Sequence, residues 1–292
     1  LFHSILVATD GSAHADRAVR LAAEVAGVQG AALTVMTVAS VPLLLRSCTA
    51  EELESASPEQ ARRARRLLDD ATVLVPMSLP ATALVTCGLS AVEAILAEVQ
   101  AGGHDLVVLG TRGHGAMRSA LLGSVSLGVA ERSPVPVLVA RSPEAGADGH
   151  AIRRILVAVD GSSMHTAVVL EHAVDMALTA GAALTLLTVC PVPRGSRRAI
   201  PRLMDDEAAD AEELLEDART FVPDGVAVDS VVDWGSPVDC ILEGVEERPC
   251  DLVVLGSRGR SPVSSALLGS VSRAVLPRSR MPVLVVRPRR RF

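Results

Sequence analysis

The 292-residue chain contains itself twice. ILVATDGS at Ile5 to Ser12 returns as ILVAVDGS at Ile155 to Ser162, DLVVLG at Asp105 returns at Asp251, and PVLVA at Pro136 returns as PVLVV at Pro282. The copies lie about 146 to 150 residues apart, too long a period for a stacked solenoid repeat and the right length for a domain. A tandem pair of similar units is therefore expected, each long enough to bury its own core. The repeats set the boundaries at 1–141 and 153–292, with a linker at 142–152 rich in small, turn-forming residues.

Within each copy, short continuous apolar runs alternate with longer amphipathic segments. Strands buried on both faces read this way, so the pattern predicts βαβ units feeding a parallel sheet. In the first copy the strands fall at Ser4 to Thr9, Ala32 to Val38, Ala81 to Thr86, Leu106 to Gly110 and Val135 to Ala140. Helices fit Ser12 to Ala26, Pro58 to Thr72, Ser90 to Ala101 and Ala120 to Arg132, with Ser12 and Ser90 as N-caps. The second copy repeats the series, with strands near Arg154, Ala183, Val226, Asp251 and Pro282 and helices near Ser163, Leu203, Pro237 and Ala266. Each unit is expected to be a Rossmann-like five-stranded parallel sheet of order 3-2-1-4-5 with flanking helices. The divergent segments Ala39 to Ala50 and Pro191 to Arg202 read as flaps or long connections.

In that strand order, the first and fourth strands are neighbours whose connections leave in opposite directions, and ligands bind beyond their carboxyl ends. The most regular motifs of the chain end those two strands. Thr9-Asp10-Gly11-Ser12 meets Gly110-Thr111-Arg112-Gly113-His114-Gly115 in the first copy. Val159-Asp160-Gly161-Ser162 meets Gly256-Ser257-Arg258-Gly259-Arg260 in the second. Each glycine loop closes on Gly-Ser, at Gly123-Ser124-Val125 and Gly269-Ser270-Val271, at or just inside the start of a helix. Unpaired N–H groups and a partial positive charge at that helix end make an anion site. The bland alternative, that glycine only permits turns and serine only caps, needs neither the glycine pair nor its duplication. Arg112 and Arg258, with His114 and Arg260, either neutralise phosphate charge or are solvated loop residues.

The loop lacks the Walker A order, and the chain contains no lysine. Nor does Gly-x-Gly-x-x-Gly follow the first strand of either copy. Instead, Gly-x-x-Gly, nine residues and Gly-Ser after strand four, with Asp-Gly-Ser after strand one, resembles the ATP-binding branch of the universal stress protein family in tandem form. The resemblance spans nearly the whole chain. It implies a fold of the adenine-nucleotide α-hydrolase type and ATP in two sites, one per domain, with Mg2+ as an option carried on the nucleotide. Asp10 and Asp160 would contact the nucleoside, and the backbones of Val38 and Val189 the adenine edge. Gly110, Gly113, Gly123, Ser124 and Val125 would wrap ribose and phosphates, as would Gly256, Gly259, Gly269, Ser270 and Val271. The family also implies pairing of domains through the fifth strands; a homo-oligomer, a dimer, is expected, with a protein partner the sequence does not identify.

Composition narrows the remaining classes. A net charge of −6 with scattered arginines, and only 1% aromatic residues, gives no footprint for nucleic acid. No apolar run reaches membrane-spanning length and no secretion signal is visible, which points to the cytoplasm. Cys48, Cys87, Cys190, Cys240 and Cys250 are odd in number with no Cys-x-x-Cys pair, so reduced, buried thiols are expected and neither a disulfide framework nor a metal site. No catalytic residue is assigned: no lysine can reach a γ-phosphate and no second carboxylate follows either loop. A nucleotide-dependent regulator with little or no turnover is the leading reading. An AMP or cyclic AMP module and a weak Mg-dependent ATPase are the alternatives.

Overall fold

The computed structural model describes residues 2–40, 50–111, 122–141, 152–161, 163–192, 200–257 and 268–287. The chain divides into two compact units, Leu1–Gly149 and His150–Phe292. The first runs β1 (Ser4–Ala8), α1 (Ala13–Gln29), β2 (Ala32–Ser40), α2 (Ala50–Ala56), α3 (Pro58–Thr72), β3 (Ala81–Gly88), α4 (Ala91–Ala101), β4 (Leu106–Gly110), α5 (Ser124–Arg132) and β5 (Val137–Ala140). The second runs β6 (Arg154–Ala158), α6 (Ser163–Ala180), β7 (Ala183–Cys190), α7 (Ile200–Arg219), β8 (Val228–Trp234), α8 (Pro237–Glu247), β9 (Leu252–Gly256), α9 (Ser270–Arg278) and β10 (Val283–Val286).

Every strand pairing within a unit is parallel. β1 lies between β2 and β4, β3 flanks β2, and β5 flanks β4. β6 likewise lies between β7 and β9, flanked by β8 and β10. Each unit thus has the expected order 3-2-1-4-5. Burial explains why the central strands read as unbroken apolar runs. Ile5, Leu6, Val7, Leu106, Val107 and Val108 are all fully buried, so both faces of the sheet are covered. At about 1.5–3 kcal/mol for each fully buried large aliphatic side chain, these strands anchor the ends that carry the site motifs.

Small residues let the helices lie close to the sheet. α1 buries Ala15, Ala18, Ala22, Ala23 and Ala26 together with Val19 and Val25, and Gly30 ends it in the left-handed conformation. Both expected N-caps form: the Ser12 hydroxyl accepts from the Ala15 N–H at 3.3 Å and that of Ser90 from the Glu93 N–H at 3.4 Å. Among the described residues, no helix is long and apolar enough to cross a membrane.

The structure revises four expectations. Helices α5 and α9 start at Ser124 and Ser270, not near Ala120 and Ala266, because Gly123 and Gly269 are extended N-caps. β5 starts at Val137 rather than Val135. The Ser133 hydroxyl donates to the Val135 carbonyl and accepts from its N–H, bending the chain before the strand, and Ser279 does the same with Met281. Part of the divergent connection after β2 leads into an added helix, α2, whose Leu53 is fully buried against Ala39, Ala61, Ala64 and Cys87. Residues 41–49 and 193–199 of the two connections lie outside the described residues.

The fourth revision is chemical. Cys87 is disulfide-bonded, so the expectation of five reduced thiols fails there, whereas Cys190, Cys240 and Cys250 form no disulfide and Cys48 lies outside the described residues. Burial pushes the Cys250 thiol up to about 11. A folded pKa above the ordinary value favours the protonated thiol, so Cys250 stabilises the fold below about pH 9 and loses that contribution as pH rises towards about 11. Cys250 should accordingly resist iodoacetamide at pH 8 in the native protein and react once unfolded, as peptide mass mapping would report.

Candidate functional site

The chain turns sharply as it leaves β1. Thr9 stays in the sheet, its N–H donating to the Met36 carbonyl at 2.8 Å, while the Thr37 hydroxyl donates to the Thr9 carbonyl at 2.9 Å. Gly11 then takes φ +77°, a left-handed conformation that side chains disfavour, and its N–H donates to the Thr9 hydroxyl at 3.1 Å. The Asp10 carboxylate accepts from the Ser12 N–H at 3.0 Å, an Asx turn that holds Asp10 at the mouth of the sheet. In the second unit Val159 donates to the Leu187 carbonyl at 2.8 Å and Gly161 has φ +73°, so Asp160 stands at the same place.

Gly110 brings the second motif against the first. A Cβ built on it would lie 2.6 Å from the His14 carbonyl oxygen and 3.0 Å from the Ala15 nitrogen, both backbone atoms in the first turn of α1. Only glycine lets β4 end this close to α1. The next residue, Thr111, is buried, and its carbonyl accepts from the Gly123 N–H at 2.7 Å. Ser257 is buried likewise and accepts from Gly269 at 2.7 Å, while its own N–H donates to Val286. Thr111 and Ser257 therefore brace the loop ends.

Gly123 and Gly269 cap α5 and α9 with no side-chain hydrogen bond. The N–H groups of Ser124, Val125 and Ser126, and of Ser270, Val271 and Ser272, are first-turn groups without intrahelical acceptors. A second contact fixes where they point: the Ser126 hydroxyl donates to the Gly110 carbonyl at 2.5 Å, and Ser272 donates to Gly256 at 2.6 Å. Sequence reasoning passed over these serines, although Gly-Ser-Val-Ser stands in both copies. Ser126→Ala and Ser272→Ala should loosen each helix start from its strand. Faster amide hydrogen exchange at the first turns of α5 and α9 is the expected result.

The far ends of α5 and α9 are tied down as well. Arg132 pairs with Glu93 at the start of α4, and Arg278 with Asp239 at the start of α8, each placing an acid at a helix N-terminus and a base at a helix C-terminus. The hydrogen bonds lower the Glu93 and Asp239 carboxyls below their ordinary values. All four groups are exposed and screened, so they orient more than they stabilise.

In the second unit these parts line one cavity of about 1130 Å3. Val159, Asp160, Gly161, Val189, Gly256, Gly269, Ser270 and Val271 all contribute to its wall. Val38 holds the matching position on β2 in the first unit, half-buried opposite Thr86. Arg112, Gly113, His114, Gly115, Arg258, Gly259 and Arg260 lie outside the described residues. Among the described residues, no group of three or more His, Cys, Asp or Glu side chains could hold a metal ion.

Fold and site together define a tandem pair of doubly wound α/β units, each with its motifs at the topological switch point and, in the second, a cavity there. The universal stress protein family model matches residues 1–141 and 151–287. A universal stress protein of Mycolicibacterium smegmatis is 31% identical over 294 residues, covering 98% of this chain and 98% of that relative. One from Mycobacterium tuberculosis is 35% identical over 188 residues, 63% of this chain and 62% of the relative. The crystal structure of a universal stress protein from Archaeoglobus fulgidus shares the fold, with a TM-score of 0.69 at 24% identity over 97% of this chain and 98% of that one. The chain belongs to the universal stress protein family, as two tandem copies of its domain.

Proposed function

We propose that the chain binds ATP in a crevice of each unit and acts as a nucleotide-dependent stress-response regulator with little or no catalytic turnover. One observation carries the reading: in both units, a helix start with open N–H groups is hydrogen-bonded to the end of the strand beside the Asp-Gly turn. That arrangement offers phosphate a set of oriented donors and leaves the Asp-Gly turn and the β2 or β7 end for the nucleoside. The 1130 Å3 cavity of the second unit has room for a nucleotide. Mg2+ would enter on the phosphates, since the described residues supply no metal cluster of their own.

Turnover needs a group to activate water or to draw charge from the γ-phosphate. The chain has no lysine, and the only acid on either strand-one turn is a single aspartate. The crevice is suited to holding ATP, with bound nucleotide biasing which surface the protein offers a partner. Incubation of the purified chain with ATP and Mg2+, followed by chromatography of the nucleotide, tests this. Recovery of ATP intact is expected; rapid stoichiometric conversion to ADP, abolished by Asp10→Ala, would replace the regulator reading with an ATPase.

A further inference from the structure

The two units share a strand order and differ in the charge of the helix that precedes the third strand. Helices α3 and α7 align when Val75-Pro76 is set on Val222-Pro223, and the match extends to burial: Ala64, Leu68 and Ala71 are buried as Ala211, Leu215 and Ala218 are. On that register the second unit places Glu207, Asp210 and Glu213 on its cavity wall where the first unit has Gln60, Arg63 and Arg66, while Asp217 on the same wall matches Asp70. No ion pair among the described residues engages those three carboxylates. The anion end differs in the opposite sense. Arg273 lines the cavity one turn after Ser270, on the same face of α9, where the first unit has Leu127.

A third difference points to the ligand itself. Thr166, in the first turn of α6, lines the second cavity and is more than nine-tenths buried, and its hydroxyl has no hydrogen-bond partner among the described residues. A buried hydroxyl is costly to leave unmatched, so this one is placed to meet an oxygen of a bound molecule. At the same point in α1 the first unit carries Asp16, an acid suited to a ribose hydroxyl or to the water shell of a cation carried on a polyphosphate.

We infer that the two crevices, both open to ATP, differ in preference, the first favouring a nucleoside polyphosphate and the second a nucleoside carrying one phosphate. The inference rests on the adenine-nucleotide reading of both crevices. In the second unit the start of α9 offers its helix N–H groups, with Arg273 one turn on, to the first phosphate. Further phosphates extend into a cavity whose α7 wall is acidic. In the first unit the matching positions carry Arg63 and Arg66, from which each added phosphate gains. For charges interacting across one Debye length, about 10 Å at 0.1 M salt, a swing in sign of several charges changes the ATP-to-AMP preference by about tenfold.

Calorimetry on single-crevice variants of the full chain tests this, with ATP, AMP and adenosine as probes at low and high salt. Ser270→Glu leaves the first crevice open, and there ATP should bind more tightly than AMP and weaken as salt rises. Ser124→Glu leaves the second, where AMP should bind at least as tightly as ATP, and ATP affinity should hold or rise with salt. Adding Asp210→Arg and Glu213→Arg to Ser124→Glu should move the preference towards ATP by about tenfold. Thr166→Val should weaken AMP in the second crevice several-fold without lowering the melting temperature, because it removes a hydroxyl that no group among the described residues satisfies. Equal ATP preference and equal salt slopes in the two crevices would overturn the specialisation and leave the nucleotide reading intact. Failure of the unmodified chain to bind any adenine nucleotide would overturn that reading, and the specialisation with it.

Discussion

Ser124→Glu and Ser270→Glu will each remove one nucleotide from the chain while leaving the fold at least as stable as before. Both serines occupy the first position of a helix, α5 and α9, after a glycine cap that contributes no side-chain hydrogen bond. An acid in the first turn complements the helix dipole, so the melting temperature should hold or rise slightly. The same carboxylate stands where a phosphate would accept from the first-turn N–H groups. Each charge-assisted hydrogen bond forfeited costs about 1.5–3 kcal/mol, so affinity in the altered crevice should fall at least tenfold, and more if two bonds are lost. The other crevice should titrate unchanged. A helix start that merely ends a connection predicts the stability effect without the loss of binding, which is why the two readouts are measured together.

Gly110→Ala will act in the opposite way, through the fold. Its Cβ would come within 2.6 Å of the His14 carbonyl oxygen and 2.7 Å of the carbonyl carbon. These are backbone atoms in a capped helix turn, so no side chain can swing aside. Either α1 or the end of β4 must move, at a cost of about 1–3 kcal/mol by analogy with overpacked cores. Urea denaturation should show that loss as a lower midpoint. Because the displaced elements carry both the Asp10 turn and the loop leading to Gly123, nucleotide binding in the first unit should weaken as well. Gly103→Ala serves as a control: a Cβ there meets nothing within 4 Å, and its φ of +63° limits the cost to backbone strain.

How far the sequence disclosed this structure depended on the range of the interactions involved. Central strands were legible because Leu6, Val7, Val107 and Val108 must be apolar on both faces, which leaves unbroken runs. Strand order came with the doubly wound pattern rather than from single residues, and the motifs ending strands one and four agreed with it. Local hydrogen bonds that cut an element short were less visible: the apolar run before Ala140 hides the Ser133 turn, and nothing in Ala120 to Leu122 marks Gly123 as the cap. Long-range contacts left the weakest trace. Ser126 reads as an ordinary helix serine until β4 is placed beside it, and Cys87 as an ordinary core thiol. The opposed charges of α3 and α7 were present in the sequence throughout. They acquired meaning only when the wall of the second cavity showed which of those charges face it.

Native mass spectrometry of the chain purified without added ligand, then titrated with ATP, tests the central claim most directly. The wild-type protein should carry up to two adenine nucleotides, Ser124→Glu and Ser270→Glu at most one each, and the double variant none. A folded wild-type chain that takes up no adenine nucleotide, or a double variant that retains two, would contradict the assignment of the crevices.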